Sequence, residues 1–137
     1  MKKKASYYIE RGSSILTALI LLQTLFYKFT AAEESVYIFS TLHMEPWGRI
    51  GTGVLELIAG GLLIFRRTSI FGSILGLGII SGAILSHIFV LGLVVQGDGG
   101  KLFTLALVVF TGCILNLFLR STEIKSIIAN RIQSGKK

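Results

Sequence analysis

Four stretches of the chain are apolar for long enough to cross a bilayer, and short polar connectors separate them. They cover about residues 13–29, 47–65, 69–95 and 102–119. The first contains ILTALILLQTLF, and the third is the longest. A hydrocarbon core of about 30 Å takes about 20 residues of helix, so each stretch suffices for one span. Backbone polar groups cannot stay unpaired in hydrocarbon, which makes spans of this length helical. Alternation of period two is absent, and a β-barrel is disfavoured on that ground. The pattern predicts an all-α, membrane-spanning four-helix bundle forming a single integral membrane domain over residues 1–137.

The connectors add detail. Arg66-Arg67-Thr68 reads as a tight turn that makes the second and third spans antiparallel neighbours, and Gly97-Asp98-Gly99-Gly100 reads as another turn. The connector after the first span is longer and carries Val36, Tyr37, Phe39 and Leu42 among polar residues. Ala31 to Leu42 is therefore expected to form a short interfacial helix, stopped by Pro46, with Trp47 at the headgroup level. In the tail, residues 120–137, Ile124, Ile127, Ile128 and Ile132 recur at helical spacing between basic residues. That predicts an amphipathic helix on an anionic leaflet, with a surface for a protein partner as the alternative.

Charge orients the spans. Lys2, Lys3, Lys4, Arg11, Arg66, Arg67, Arg120, Lys125, Arg131, Lys136 and Lys137 fall on one side, eleven of the fourteen basic residues. The opposite side has Lys28, Arg49 and Lys101, together with Glu33, Glu34, Glu45 and Asp98. The positive-inside rule puts both termini in the cytoplasm. A net charge of +7 does not make a nucleic-acid binder, because the basic residues flank apolar spans instead of forming a stripe on a soluble surface. The lysine-rich start, the apolar run and Thr30-Ala31-Ala32 also fit a cleavable signal. Gln23 and Lys28 interrupt that run and favour a retained span. Cys113 stands alone in the fourth span, without a thiol partner for disulfide exchange.

Polar residues at membrane depth are the candidate chemistry. Counted from the outer ends of their spans, Gln23, Glu56 and His87 lie roughly 10–12 Å deep at about 1.5 Å per residue, in one layer. Arg49, Gly53, Glu56 and Gly60 recur at four-, three- and four-residue spacing and share a face. Glu56 and His87 are expected to face each other, with Gln23 as a further partner. They form either a hydrogen-bonded pair that fixes helix register or an outward-opening pocket. In the pocket they would bind or protonate a headgroup or quinone oxygen, and Arg49 would charge the mouth. Gly72 with Gly76, and Gly78 with Gly82, repeat the small-x-x-x-small spacing of membrane helix packing. Lys28 is expected to snorkel outward, Cys113 to fill space, and Asn116 to bond across to another helix. His43, Glu45, Glu56 and His87 have the chemistry of metal ligands, but nothing in the spacing draws them together, and no metal site is expected.

Trp47-Gly48-Arg49-Ile50-Gly51, followed by Glu56-Leu57-Ile58-Ala59-Gly60-Gly61 and then by Gly82-Ala83-Ile84-Leu85-Ser86-His87, resembles the DoxX and DoxX-like family of small four-helix bacterial membrane proteins. The resemblance runs from about Ser13 to Leu119. It implies a bacterial cytoplasmic-membrane protein tied to redox processes, with a quinone as a cofactor candidate and a protein complex as its setting. The expected function is a small subunit or ligand-binding module for a quinone or lipid. A free-standing intramembrane enzyme using Glu56 and His87 for proton transfer is the alternative, and a structural protein without ligand stands behind both. The lipid bilayer is the first partner, and nucleic acid is not one.

Overall fold

A computed structural model describes residues 2–135, with side chains from residue 4 onward. Lys136 and Lys137 of the basic tail lie outside the described residues. The described residues are helical, without strands: α1 (Lys2–Phe29), α2 (Glu33–Thr41), α3 (Trp47–Ile64), α4 (Ser69–Ser86), a π-helical turn (His87–Leu91), α5 (Lys101–Leu119) and α6 (Ser121–Ser134). Four of these segments are long and apolar enough to cross a membrane: Lys4–Phe29, Trp47–Ile64, Ser69–Leu91 and Lys101–Leu119.

Each long helix packs on two others: α1 and α4 both touch α3 and α5. All four contacts are antiparallel. Arg11 near the start of α1 reaches the carbonyl of Ile64 at the end of α3 (2.5 Å). Ser13 of α1 donates to the Gly112 carbonyl of α5 (3.4 Å), and Asn116 near the end of α5 bonds to Ser69 and Ser73 of α4. Gly72 of α4 lies against α3, where an added Cβ would sit 2.8 Å from the Leu63 nitrogen and 2.9 Å from the Ala59 carbonyl oxygen. Ala18, Leu21, Ala59, Leu63, Ile80, Ala106, Val109 and Cys113 form the core. Half of these residues are small, which suits helices in lipid: the surroundings are as apolar as leucine, so membrane helices gain by approaching closely.

Several expectations need correction. The helix that contains the first apolar stretch begins at Lys2, and its packed stripe extends before Ser13 to Glu10, running on through Ser14, Thr17, Ala18 and Leu21. The third span does not run helically to Val95. It widens into the π turn and stops at Gly92, whose φ of 80° and ψ of 172° belong to a region open essentially to glycine alone. Of the two glycine pairs in α4, Gly72 and Gly76 are packed, but a Cβ at Gly78 or Gly82 would meet nothing within 4 Å. The short helix α2 is narrower than residues 31–42, since Ala31 has φ of 53° and stands outside it. The linker into α5 is tied by Asp98, whose carboxylate accepts from the backbone N–H of Val95, Gly100 and Leu102, each at 2.9 Å.

Candidate functional site

Two clusters of buried polar side chains occupy opposite ends of the long helices. At the end bearing α2, Glu56 is nearly buried on the α3 face that also buries Arg49, Gly53 and Gly60. Its Oε1 pairs with Lys28 Nζ at 2.5 Å, and its Oε2 accepts from Thr24 Oγ1 at 2.8 Å. Lys28 also stands over the ring of Phe39 from α2, 5.9 Å from its centroid. Arg49 donates to the Lys28 carbonyl and, through Nε, to both oxygens of Glu45 at 2.8 and 3.0 Å. Phe29 closes over Gly53, about 3.1 Å from where a Cβ would be. The carboxylate therefore has a counter-ion, a hydroxyl donor and an aromatic cover.

Of the residues expected to line one pocket, Arg49 and Glu56 do share a network through Lys28. Gln23 does not join it. It is exposed, because the buried face of α1 passes through Leu21, Thr24 and Lys28 and leaves Gln23 on the other side. His87 is buried at the first residue of the π turn, but no hydrogen bond joins it to Glu56 among the described residues. Its Nδ1 lies 2.9 Å from the Gly92 carbonyl oxygen and donates to it, and its ring packs edge-on against Phe103 of α5. Lys28 turns inward onto Glu56 instead of snorkelling. Its spacing of four residues from Thr24 was the available signal, since both then fall on one helical face. Among the described residues, no three His, Cys, Asp or Glu side chains converge as metal ligands would.

The second cluster, at the end where α1 starts, escaped the sequence reading except for Asn116. Glu10 is 2% exposed. Its Oε1 accepts from Ser14 (3.3 Å) and Ser69 (3.4 Å), and Arg11 and Arg66 stand at 3.6 and 3.7 Å. Arg120 donates to the Arg66 carbonyl and to Ser69 Oγ at 2.5 and 2.7 Å and pairs with Glu123, which also bonds to Arg66 at 2.9 Å. Arg120 holds the Glu123 carboxyl below its ordinary range. Asn116 donates to Ser73 Oγ at 2.6 Å. Four buried atoms here lack a hydrogen-bond partner: Glu10 Oε2, Arg11 Nη1, Asn116 Oδ1 and Arg120 Nε.

The hollows lie along the contact between α1 and α5. An open crevice of about 460 Å³ is bounded by Ser13, Leu16 and Thr17 on one side and by α5 from Thr104 to Leu115 on the other. A small cavity of about 90 Å³ borders Ser6, Tyr7 and Glu10 of α1, Leu119 and Arg120 beyond them, and Arg66 and Glu123. On α1 the lining residues Ser6, Glu10, Ser13 and Thr17 follow at four-, three- and four-residue spacing, and on α5 Leu115 and Leu119 are one turn apart. The crevice and the cavity thus succeed each other on one seam, apolar along its length and polar at its end. No family model, curated protein or solved structure matches the chain.

Proposed function

We propose that the protein is a small ligand-holding module of the bacterial cytoplasmic membrane, a four-helix bundle that carries one chain-bearing amphipathic molecule, a quinone or a lipid, along the α1–α5 seam. The observation that carries this reading is the succession of an open apolar crevice and a small polar hollow along one seam. A volume of about 460 Å³ falls within the range of ligand sites, about 300–1,000 Å³, which are mostly apolar with a few placed polar groups. The charge asymmetry of the sequence supports placing the polar end of the seam, and both termini, in the cytoplasm. On this orientation α2 lies in the outer interface and α6 on the inner leaflet.

The DoxX-like order of residues from Trp47 to His87 supports a role beside a redox complex, with the module serving a partner. The alternative of a free-standing enzyme has less support. A general base must be free to take a proton, whereas Glu56 is engaged by Lys28 and Thr24 and His87 by a backbone carbonyl.

The test is mass spectrometry of small molecules that stay with the chain after purification in mild detergent. A stoichiometric quinone or phospholipid is expected. Val108→Trp, which fills the crevice from a lipid-facing position, should abolish its retention while leaving the fold intact. Unchanged retention in that variant would remove the seam from consideration.

A further inference from the structure

We infer that the crevice between α1 and α5 seats an uncharged lipid by a carbonyl or hydroxyl oxygen, which meets the hydroxyl of Thr17. The inference rests on the proposed role of the seam and narrows the ligands named there to the uncharged class. The four spans hold five threonines. Thr24, Thr52, Thr104 and Thr111 each donate to a carbonyl one turn back on the chain, at 2.7–2.9 Å, as hydroxyls inside helices commonly do. Thr17 does not. Its side chain turns across to α5, and its Oγ1 lies so close over Gly112 that a Cβ there would overlap it. Among the described residues no group donates to this oxygen or accepts from it, although Thr17 is 2% exposed. It is not one of the sealed, unpartnered atoms of the Glu10–Arg120 cluster; it opens into the crevice that Thr17 lines. Ser13, one turn earlier, also turns toward α5, and its hydrogen bond to the Gly112 carbonyl is long at 3.4 Å.

Depth and charge select the ligand. Thr17 lies two turns beyond Glu10 on α1, roughly 10 Å deeper at about 1.5 Å per residue. A hydroxyl without a partner is costly where no water reaches it. None of the side chains lining the crevice is ionisable, so a charged headgroup drawn to Thr17 would stand unpaired in hydrocarbon. A bare hydrocarbon chain would leave the hydroxyl unmatched. A neutral carbonyl or hydroxyl oxygen accepts from Thr17 Oγ1 without either cost, with Ser13 one turn away to share it. The rest of the ligand lies along Leu107, Val108 and Leu115, in a crevice of about 460 Å³ that is open for a chain to enter from the bilayer. Diacylglycerols, prenols and prenyl quinones share this chemistry.

Purified protein in detergent should be titrated with two matched sets of lipids, with binding read by native mass spectrometry and by thermal unfolding. One set pairs diacylglycerol with phosphatidylglycerol of the same acyl chains. The other places a prenol and a prenyl quinone beside the hydrocarbon of the same prenyl chain. In at least one set the uncharged, oxygen-bearing lipid should bind about fivefold tighter than its counterpart, and the set that shows the margin names the source. Thr17→Val, which removes the hydroxyl, should erase the margin and leave binding of the counterpart unchanged. Thr17→Ser, which keeps the hydroxyl, should keep it. Thr17→Ala repeats the test if the added methyl of valine crowds Gly112. Equal binding within both sets, tighter binding of phosphatidylglycerol than of every uncharged lipid, or a margin unmoved in Thr17→Val and Thr17→Ala would each overturn the seat. Those results leave the seam in place so long as Val108→Trp still abolishes binding. Failure of wild-type protein to bind any of these lipids would sink the proposed role of the seam as well.

Discussion

The two buried polar clusters contain similar residues and differ in how completely they are satisfied. At the α2 end, Glu56 has Lys28 on one oxygen and Thr24 on the other, and the aromatic rings of Phe29 and Phe39 cover the network. At the opposite end, Glu10 has long hydrogen bonds on one oxygen and only Arg66, at 3.7 Å, on the other, and Arg120 and Asn116 each keep a polar atom without a hydrogen bond. A buried polar network that is fully paired rigidifies a fold, and one that is partly paired carries a desolvation cost. The comparison separates a fully paired cluster from a partly paired one, although composition alone would have ranked the glutamate of α3 first for function.

The largest expected effect breaks the fully paired cluster. Lys28→Met leaves Glu56 charged, buried and unpaired, and should lower stability by about 3–5 kcal/mol, read as thermal unfolding in detergent. Adding Glu56→Met to it should return most of that loss, because two apolar residues of similar volume replace a buried ion pair at little net cost. Failure of the double variant to recover would mean that the pair does more than hold helices.

A smaller effect is expected at the other end. Ser69→Ala removes a hydroxyl that accepts from Arg120 and donates to Glu10, and should cost about 1–3 kcal/mol. The same unfolding assay reads it, and the cost should add to that of Lys28→Met in the double variant, since the two clusters lie at opposite ends of the helices and share no partner. A non-additive result would couple the two clusters.

Acid should act through the linkers outside the spans. Burial pushes the Asp98 carboxyl up, but the backbone N–H groups of Leu102, Val95 and Gly100, with a contribution from His87, bring it below the ordinary range. A carboxyl whose pKa is lower folded than unfolded stabilises fully above the unfolded value, about 3.9. It loses that contribution as pH falls through the folded value. Asp98→Asn should therefore lower stability at neutral pH and flatten the acid limb of a stability–pH profile, the two proteins converging as pH falls through this range. The smallest effect is expected for Gln23→Leu. Gln23 touches neither cluster and faces outward, so a change within about 0.5 kcal/mol is predicted by the same unfolding assay, and a larger loss would mean that the layer does extend to it.

Much of the architecture was legible from residue order alone. Apolar length and the turn residues placed three of the four long helices to within a few positions, since span length follows from bilayer thickness, but not the start of α1, which lies at Lys2. The small residues and Glu56 of α3 also declared their common face, because Arg49, Gly53, Glu56 and Gly60 repeat at helical spacing and all four are buried. Pairing was not legible. Glu56 was matched to His87 by depth, but the structure joins it to Lys28, and the Glu10–Arg120 cluster lay in a stretch that reads as a solvated basic flank. The reason is physical. In a membrane the outward face of a helix is as apolar as the inward one, so hydropathy reports depth and leaves rotation about the helix axis undetermined. Residue order placed the polar groups along their helices; only the packing of α1 against α3 and α5 decided which of them meet, and which keep an atom without a hydrogen bond.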